Sequence, residues 1–161
     1  MFASSPLKPV ALIALALLSG TVSAATTCSL ASGNVVFGNY DVFSNSSLDT
    51  TTSLVVTCTR SGGPQNVNLD IGIGAGTYGG TTSSRKMKTI GGDLLGYNLF
   101  KDAGKTAVWG QVSGVDTFRQ TLAVPNNSSA KLTATIYGRI PSSQDVFKGS
   151  YSDSVVITVT P

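Results

Sequence analysis

The sequence predicts an all-β sandwich, and three observations carry that expectation. Apolar and polar residues alternate with period two in several stretches, turn-forming clusters separate those stretches, and helix-building residues are scarce. All 8 acidic residues are Asp. A chain without Glu lacks the Glu–Lys pairs that support exposed helices, whereas abundant Val, Thr, Ser, Gly and Asn suit strands and turns.

The expected strands follow in order. The first covers 35–42. In the second, over 51–59, Leu54, Val56 and Cys58 share one face and Val55, Thr57 and Thr59 the other. The third, over 67–73, places Val67, Leu69, Ile71 and Ile73 on one side. Shorter strands are expected over 95–100 and 121–124. Leu132, Ala134 and Ile136 alternate with Thr133, Thr135 and Tyr137, and Val155, Ile157 and Val159 with Val156, Thr158 and Thr160. Polar, Gly- or Pro-containing pieces at 44–47, 61–64, 74–84, 125–128 and 141–143 supply the turns. This is the rhythm of six or seven strands, with no helix-period segment after residue 24 and no internal repeat.

The N-terminus assigns a compartment. Lys8 precedes an unbroken apolar run from Val10 to Leu18, Ser19 and Gly20 break it, and Val22, Ser23 and Ala24 supply small residues at the cleavage positions. This reads as a secretory signal over residues 1–24, leaving one domain over 25–161. A run of that length rises only about 14 Å as a helix, against a hydrocarbon core of about 30 Å. No later segment is long and apolar enough to span. Cys28 and Cys58, alone in an exported chain, are expected to pair. A redox role would ask for Cys-x-x-Cys, which is missing. If the first two strands form a hairpin around Phe43, facing residue numbers sum to 86, and Cys28 faces Cys58.

The residue inventory narrows the chemistry. With no His there is no imidazole base and no His-ligated metal, and two cysteines cannot make a four-thiolate site. No enzyme activity, metal or cofactor is expected. The formal charge of +3 is too thin for nucleic acid. Gly74, Gly76 and Gly79 spell G-x-G-x-x-G after a strand, but Gly80 to Ser84 open no helix to hold a pyrophosphate, so a flexible loop is the default. Ser83 to Lys86 spells S-x-x-K without the partner motifs of an acylating serine, and Arg85 and Met87 read as a strand start. Asp102, Asp116, Asp145 and Asp153 read as solvated turn residues. The sequons at Asn45, Asn126 and Asn127 read as polar turns. Trp109 and Tyr137 read as core or rim aromatics, with stacking on carbohydrate as the alternative.

A longer series of residues points further: Cys28; Val36 to Val42; Leu54 to Thr59 around Cys58; Leu69 to Gly72; Arg85 to Met87; Leu94 to Asp102; Val108 to Gly110; Thr135 to Pro141; and Gly149 to Val159. In this order they resemble the spore coat protein U domain, shared by a secreted myxobacterial spore-coat protein and pilins of archaic chaperone–usher (Csu-type) pili. The resemblance implies an immunoglobulin-like sandwich lacking its last strand. Its hydrophobic groove is filled first by a periplasmic chaperone and later by the donor strand of a neighbouring pilin subunit, with an usher directing assembly. The groove is expected between the first strand and the last, with Val36, Tyr40, Val42, Tyr151, Val155, Ile157 and Val159 as its residues.

The chain stops at Pro161, directly after the last alternating stretch, so that strand's outer edge is expected to need a partner from elsewhere. Only Ala25, Thr26 and Thr27 separate the expected cleavage site from Cys28. Pilins that polymerise carry a donor segment there, so a terminal or accessory subunit is expected. The localisation expected is periplasm in transit, then the surface of a Gram-negative cell. The alternatives are a self-sufficient spore-coat or surface protein, and a carbohydrate-binding adhesin module.

Overall fold

The computed structural model describes residues 24–161; the signal segment expected over 1–24 lies, but for Ala24, outside the described residues. Eight strands are present among them: β1 Thr26–Ser32, β2 Leu48–Arg60, β3 Gln65–Ile73, β4 Arg85–Lys88, β5 Leu94–Phe100, β6 Phe118–Val124, β7 Ser129–Ile140 and β8 Ile157–Thr160. They form two antiparallel sheets, a five-stranded one in the order β1-β2-β7-β5-β4 and a three-stranded one in the order β6-β3-β8. No helix of the described residues is long and apolar enough to cross a membrane.

The core forms where the alternating faces of the two sheets meet. Leu54, Val56 and Cys58 of β2, Leu132, Ala134 and Ile136 of β7, and Leu95, Tyr97 and Leu99 of β5 are buried on one side. Val67, Leu69, Ile71 and Ile73 of β3 are buried opposite them. Period two puts every second side chain on the same face, so each stretch of alternation becomes a strand with its apolar row inward. The long β2–β7 ladder runs from Leu48↔Ile140 to Thr59↔Ser129 and forms the spine of the larger sheet.

The expected first strand over 35–42 is not a strand; β1 takes its place beside β2. The numerical register survives, because the β1–β2 pairs run from Thr26↔Arg60 to Ser32↔Leu54 and set Cys28 opposite Cys58. The two cysteines form the disulfide. Beyond Ser32 the chain lifts off β2. Gly33 N–H still donates to Ser53 O at 3.3 Å, but at Val36 the carbonyl accepts from the Thr50 hydroxyl instead of a main-chain N–H. Two features explain the departure. Gly38 adopts φ +82°, a left-handed conformation foreign to a strand. Phe37 turns inward over Gly138, where a Cβ would come within 2.9 Å of its ring, and meets Tyr97 edge-on at 5.8 Å. The last expected strand is likewise shorter: only Ile157–Thr160 pairs with β3, in register Ile73↔Ile157 to Asp70↔Thr160.

Two fold-level predictions follow from these staples. Replacing both Cys28 and Cys58 by Ser opens a loop spanning a separation of 30 residues, and urea denaturation should record a loss of about 3 kcal/mol. On the outer face, Asp49 accepts two hydrogen bonds from Arg139, at 2.7 and 2.9 Å, and lies 3.0 Å from Lys105. The Arg139 hydrogen bonds, ahead of the Lys105 contact, lower its pKa from 3.8 to about 2. Because the folded value lies below the unfolded one, the contribution is complete above pH 3.8 and fades as pH falls toward 2. With Asp49 37% exposed, it amounts to less than about 1 kcal/mol. Asp49→Asn should flatten the acid limb of the stability curve in that window and leave it parallel to wild type near neutrality.

Candidate functional site

Where 33–42 leaves β2, it faces the irregular segment 146–156 across a slot that reaches the core. Two cavities occupy the slot. The larger, about 750 Å³, lies among residues 35–42, Met87, Leu95, Ile140 and residues 146–151. The smaller, about 490 Å³, lies among residues 32–35, Phe37, Ile73, Met87, Tyr97, Leu99, Ile136, residues 151–155 and Ile157. Val35, Phe37, Met87 and Tyr151 border both, so this is one groove partly divided by side chains. Its floor is made of the same residues that fill the sandwich.

The main chain along the groove is poorly paired. Among the described residues, Gly33 N–H to Ser53 O is the only main-chain to main-chain hydrogen bond from residues 33–40. On the other wall, Ser152 makes one antiparallel bridge to Lys88 and Val156 O accepts from Gly74 N–H at 2.9 Å. β8 has β3 on one side and no strand on the other among the described residues. Side chains hold the walls in place of ladders. Tyr40 donates its hydroxyl to Pro141 O and accepts from Gln144 N–H. The Gln144 amide both accepts from Gly96 N–H and donates to Gly96 O, at 2.7 and 2.9 Å, imitating a neighbouring strand for β5.

Polar groups brace the smaller cavity. Arg85 is buried, and its guanidinium donates to Gly74 O, Thr82 O, Asn98 Oδ1, Ile73 O and Trp109 O at 2.6–2.8 Å. All five N–H donors are thereby used. Burial lowers its pKa, and the ring of acceptors offsets that desolvation. Tyr97 donates its hydroxyl to Asp153 Oδ2 at 2.7 Å. Burial first, and the adjacent Asp153 second, push the Tyr97 phenol above its ordinary value, so it stays a neutral donor. Asp153 Oδ1 accepts from the N–H groups of Thr77 and Ser154, fastening loop 74–84 to the groove wall.

The expected site residues distribute unevenly. Tyr40, Val42 and Tyr151 border the larger cavity, and Tyr151, Val155 and Ile157 the smaller. Val36 also borders the larger cavity but is 71% exposed, because its neighbours Val35 and Phe37 take the inward phase. Val159 packs against the core and borders neither cavity. Sequence reading missed Phe37 and Met87, which lacked a fixed strand phase to mark them, and misassigned Asp153, which is a groove residue rather than a solvated turn residue. Trp109 is 0% exposed, donates Nε1–H to Ile71 O and packs on Phe118; a stacking role on carbohydrate is closed to it. The G-x-G-x-x-G loop leads into β4, not a helix, and the described residues hold no cluster of three metal-ligating side chains.

Residues 14–158 match the spore coat protein U domain. The sequence is 33% identical to Protein U of Myxococcus xanthus over 146 residues, 83% of this chain and 76% of that one. The fold resembles a chain in the crystal structure of a chaperone–tip adhesion subunit pre-assembly complex from the archaic chaperone–usher Csu pili of Acinetobacter baumannii, with a TM-score of 0.56 at 19% identity over 84% of this chain. This chain spans 40% of the length of that one, and the likeness is one of fold.

Arg85 should prove the dominant brace. Arg85→Leu removes all five hydrogen bonds, three of them to buried carbonyls, and should lower stability by more than about 3 kcal/mol. Arg85→Lys, which keeps the charge but loses the planar fork, should fall between that variant and wild type. Urea midpoints of the three proteins check the order.

Proposed function

This chain belongs to the spore coat protein U domain family, and from that membership we propose that it is an exported, non-enzymatic structural subunit whose groove is completed by a β-strand from another polypeptide. The observation that carries the reading is the coincidence, among the described residues, of three features: an unpaired edge on β8, an unladdered segment over 33–40, and an apolar floor between them. Backbone N–H and C=O groups beside an apolar interior require partners. An added strand supplies both main-chain bonds and side chains for the cavities.

The donor in transit is a periplasmic chaperone, and the donor in the final assembly is a neighbouring subunit delivered through an usher. The groove residues in this reading are Tyr40, Val42, Tyr151, Val155 and Ile157, joined by Phe37 and Met87, with Val36 on the outer lip. Val159 adds to the β8 edge rather than to a cavity. Thr26–Ser32 pair with β2 as β1 and are not themselves free to serve as a donor strand. The assembled protein then sits at the cell surface.

Expressed alone in a bacterial periplasm, the chain should aggregate or be degraded, and a co-expressed cognate chaperone should rescue it. Ile157→Asp puts a carboxylate into the groove and should weaken chaperone capture by at least about tenfold. Val156→Asp, on the outward face, should not. A stable, monodisperse monomer by light scattering, with no partner present, would contradict the proposal and favour a self-sufficient coat or surface module.

A further inference from the structure

We propose that the strand completing this groove carries a hydrogen-bond-donating side chain, a hydroxyl or an ammonium, at the position facing Asp153, with apolar side chains two residues away on either side. The inference rests on the strand-acceptor reading above and adds to it the chemistry of the partner.

Along the wall from 151 to 159, alternate residues turn inward and are partly buried: Tyr151, Asp153, Val155, Ile157 and Val159. Four of these suit an apolar strand and one does not. An ionised carboxylate has room for about four hydrogen bonds. Asp153 receives three within the chain: Thr77 N–H and Ser154 N–H on Oδ1, and the Tyr97 hydroxyl on Oδ2. Among the described residues Oδ2 accepts one hydrogen bond, which leaves a further position on it, and Asp153 borders the smaller cavity.

The nearby cations do not fill that position. Arg85 gives all five of its N–H donors to other acceptors. Lys88 Nζ lies over the Tyr78 ring, 5.5 Å from its centroid. Nor can the carboxylate swing clear: Gly76 presses on it so closely that a Cβ there would collide with Oδ2, and Thr77 N–H fixes its other oxygen.

In the open groove Asp153 is only partly buried. A covering strand would bury it further. A Val or Leu placed there would strand a charged acceptor, while Ser, Thr or Lys would satisfy it. The difference corresponds to about tenfold to a hundredfold in affinity. Neighbouring inward positions on a strand are about 7 Å apart. The residue on the Tyr151 side therefore falls toward Phe37, Met87 and Tyr151, where the two cavities meet, and the one on the Val155 side toward Ile73, Leu99 and Ile157. The groove thus reads a pattern of apolar, donor, apolar along its partner.

The test uses synthetic 13-residue peptides with Val at every inward position and Thr outward, plus a series in which each inward Val is replaced singly by Ser or by Lys. The full exported chain is refolded in the presence of each peptide, and affinity is read by competition with the fluorescein-labelled all-Val peptide. At one inward position, Ser and Lys should bind at least about tenfold tighter than Val; at the others they should bind more weakly. In Asp153→Asn the advantage of Lys at that position should disappear. If Val is preferred at every inward position, the donor position does not exist, although the groove still accepts strands. If no peptide binds, including the all-Val one, the strand-acceptor reading itself fails. The wild-type series decides between these outcomes even if Asp153→Asn does not fold.

Discussion

A main-chain edge that borders an apolar interior must be hydrogen-bonded by something, and this requirement governs the molecule. Among the described residues the β2–β7 ladder, the β3 strand held between β6 and β8, and the short β4–β5 pair meet it internally. At one slot it does not. β8 offers an edge outward, and residues 33–40 run past β2 with a single main-chain bond. Between them Ile73, Leu99 and Ile136 belong to the core and at the same time floor a cavity. In the proposed reading core packing and partner binding share these residues, and a strand laid in the slot would complete the sandwich rather than decorate its surface.

An open slot of this size persists only if its walls are held from behind. The holding is done by side chains bonded to backbone. Thr50 fixes Val36, Tyr40 and Gln144 tie the 33–42 wall to 141–144 and to β5, and Asp153 and Ser154 tie the opposite wall to loop 74–84. Arg85 anchors that loop from below. Each bond contributes about 1 kcal/mol net. Their geometry matters more, because they leave the facing main-chain edges unoccupied. A full ladder at either wall would be more stable and would close the site.

How much of this was legible in the sequence depends on where the deciding contact lies. Period-two runs around Leu54, Val67 and Leu132 fixed their own strands, because a half-buried strand writes its burial into its own residues. The register that faces Cys28 with Cys58 was also legible, since it needs only two numbers and a hairpin. The segment 35–42 was misread because Val35 and Phe37 alternate as a strand does, yet a strand is defined by its neighbour, and β2 turns away from it. Val36, expected in the groove, borders its larger cavity from the exposed outer lip. Arg85 gave no local sign of burial, since its acceptors come from residues up to 24 positions away. Trp109 read as a core or rim aromatic, and nothing nearby in sequence shows that Ile71 O awaits its indole N–H.

Asp153 shows why the polar residues of the groove were the hardest to read. In sequence it sits between Ser152 and Ser154, the setting of a solvated turn. In the fold the same carboxylate stands on the inward row of an otherwise apolar wall, held by Tyr97 and Thr77 from two different directions. Burying a charge beside an apolar slot is unfavourable unless its bonds are complete, and a row of Val and Ile would have made a more adhesive groove. Adhesiveness alone, however, admits any alternating strand. In the proposed reading a fixed acceptor in the row penalises strands that cannot satisfy it, so the groove gives up affinity for those strands and gains discrimination. That trade suits a slot that an extended apolar edge would otherwise leave open to any passing β-segment.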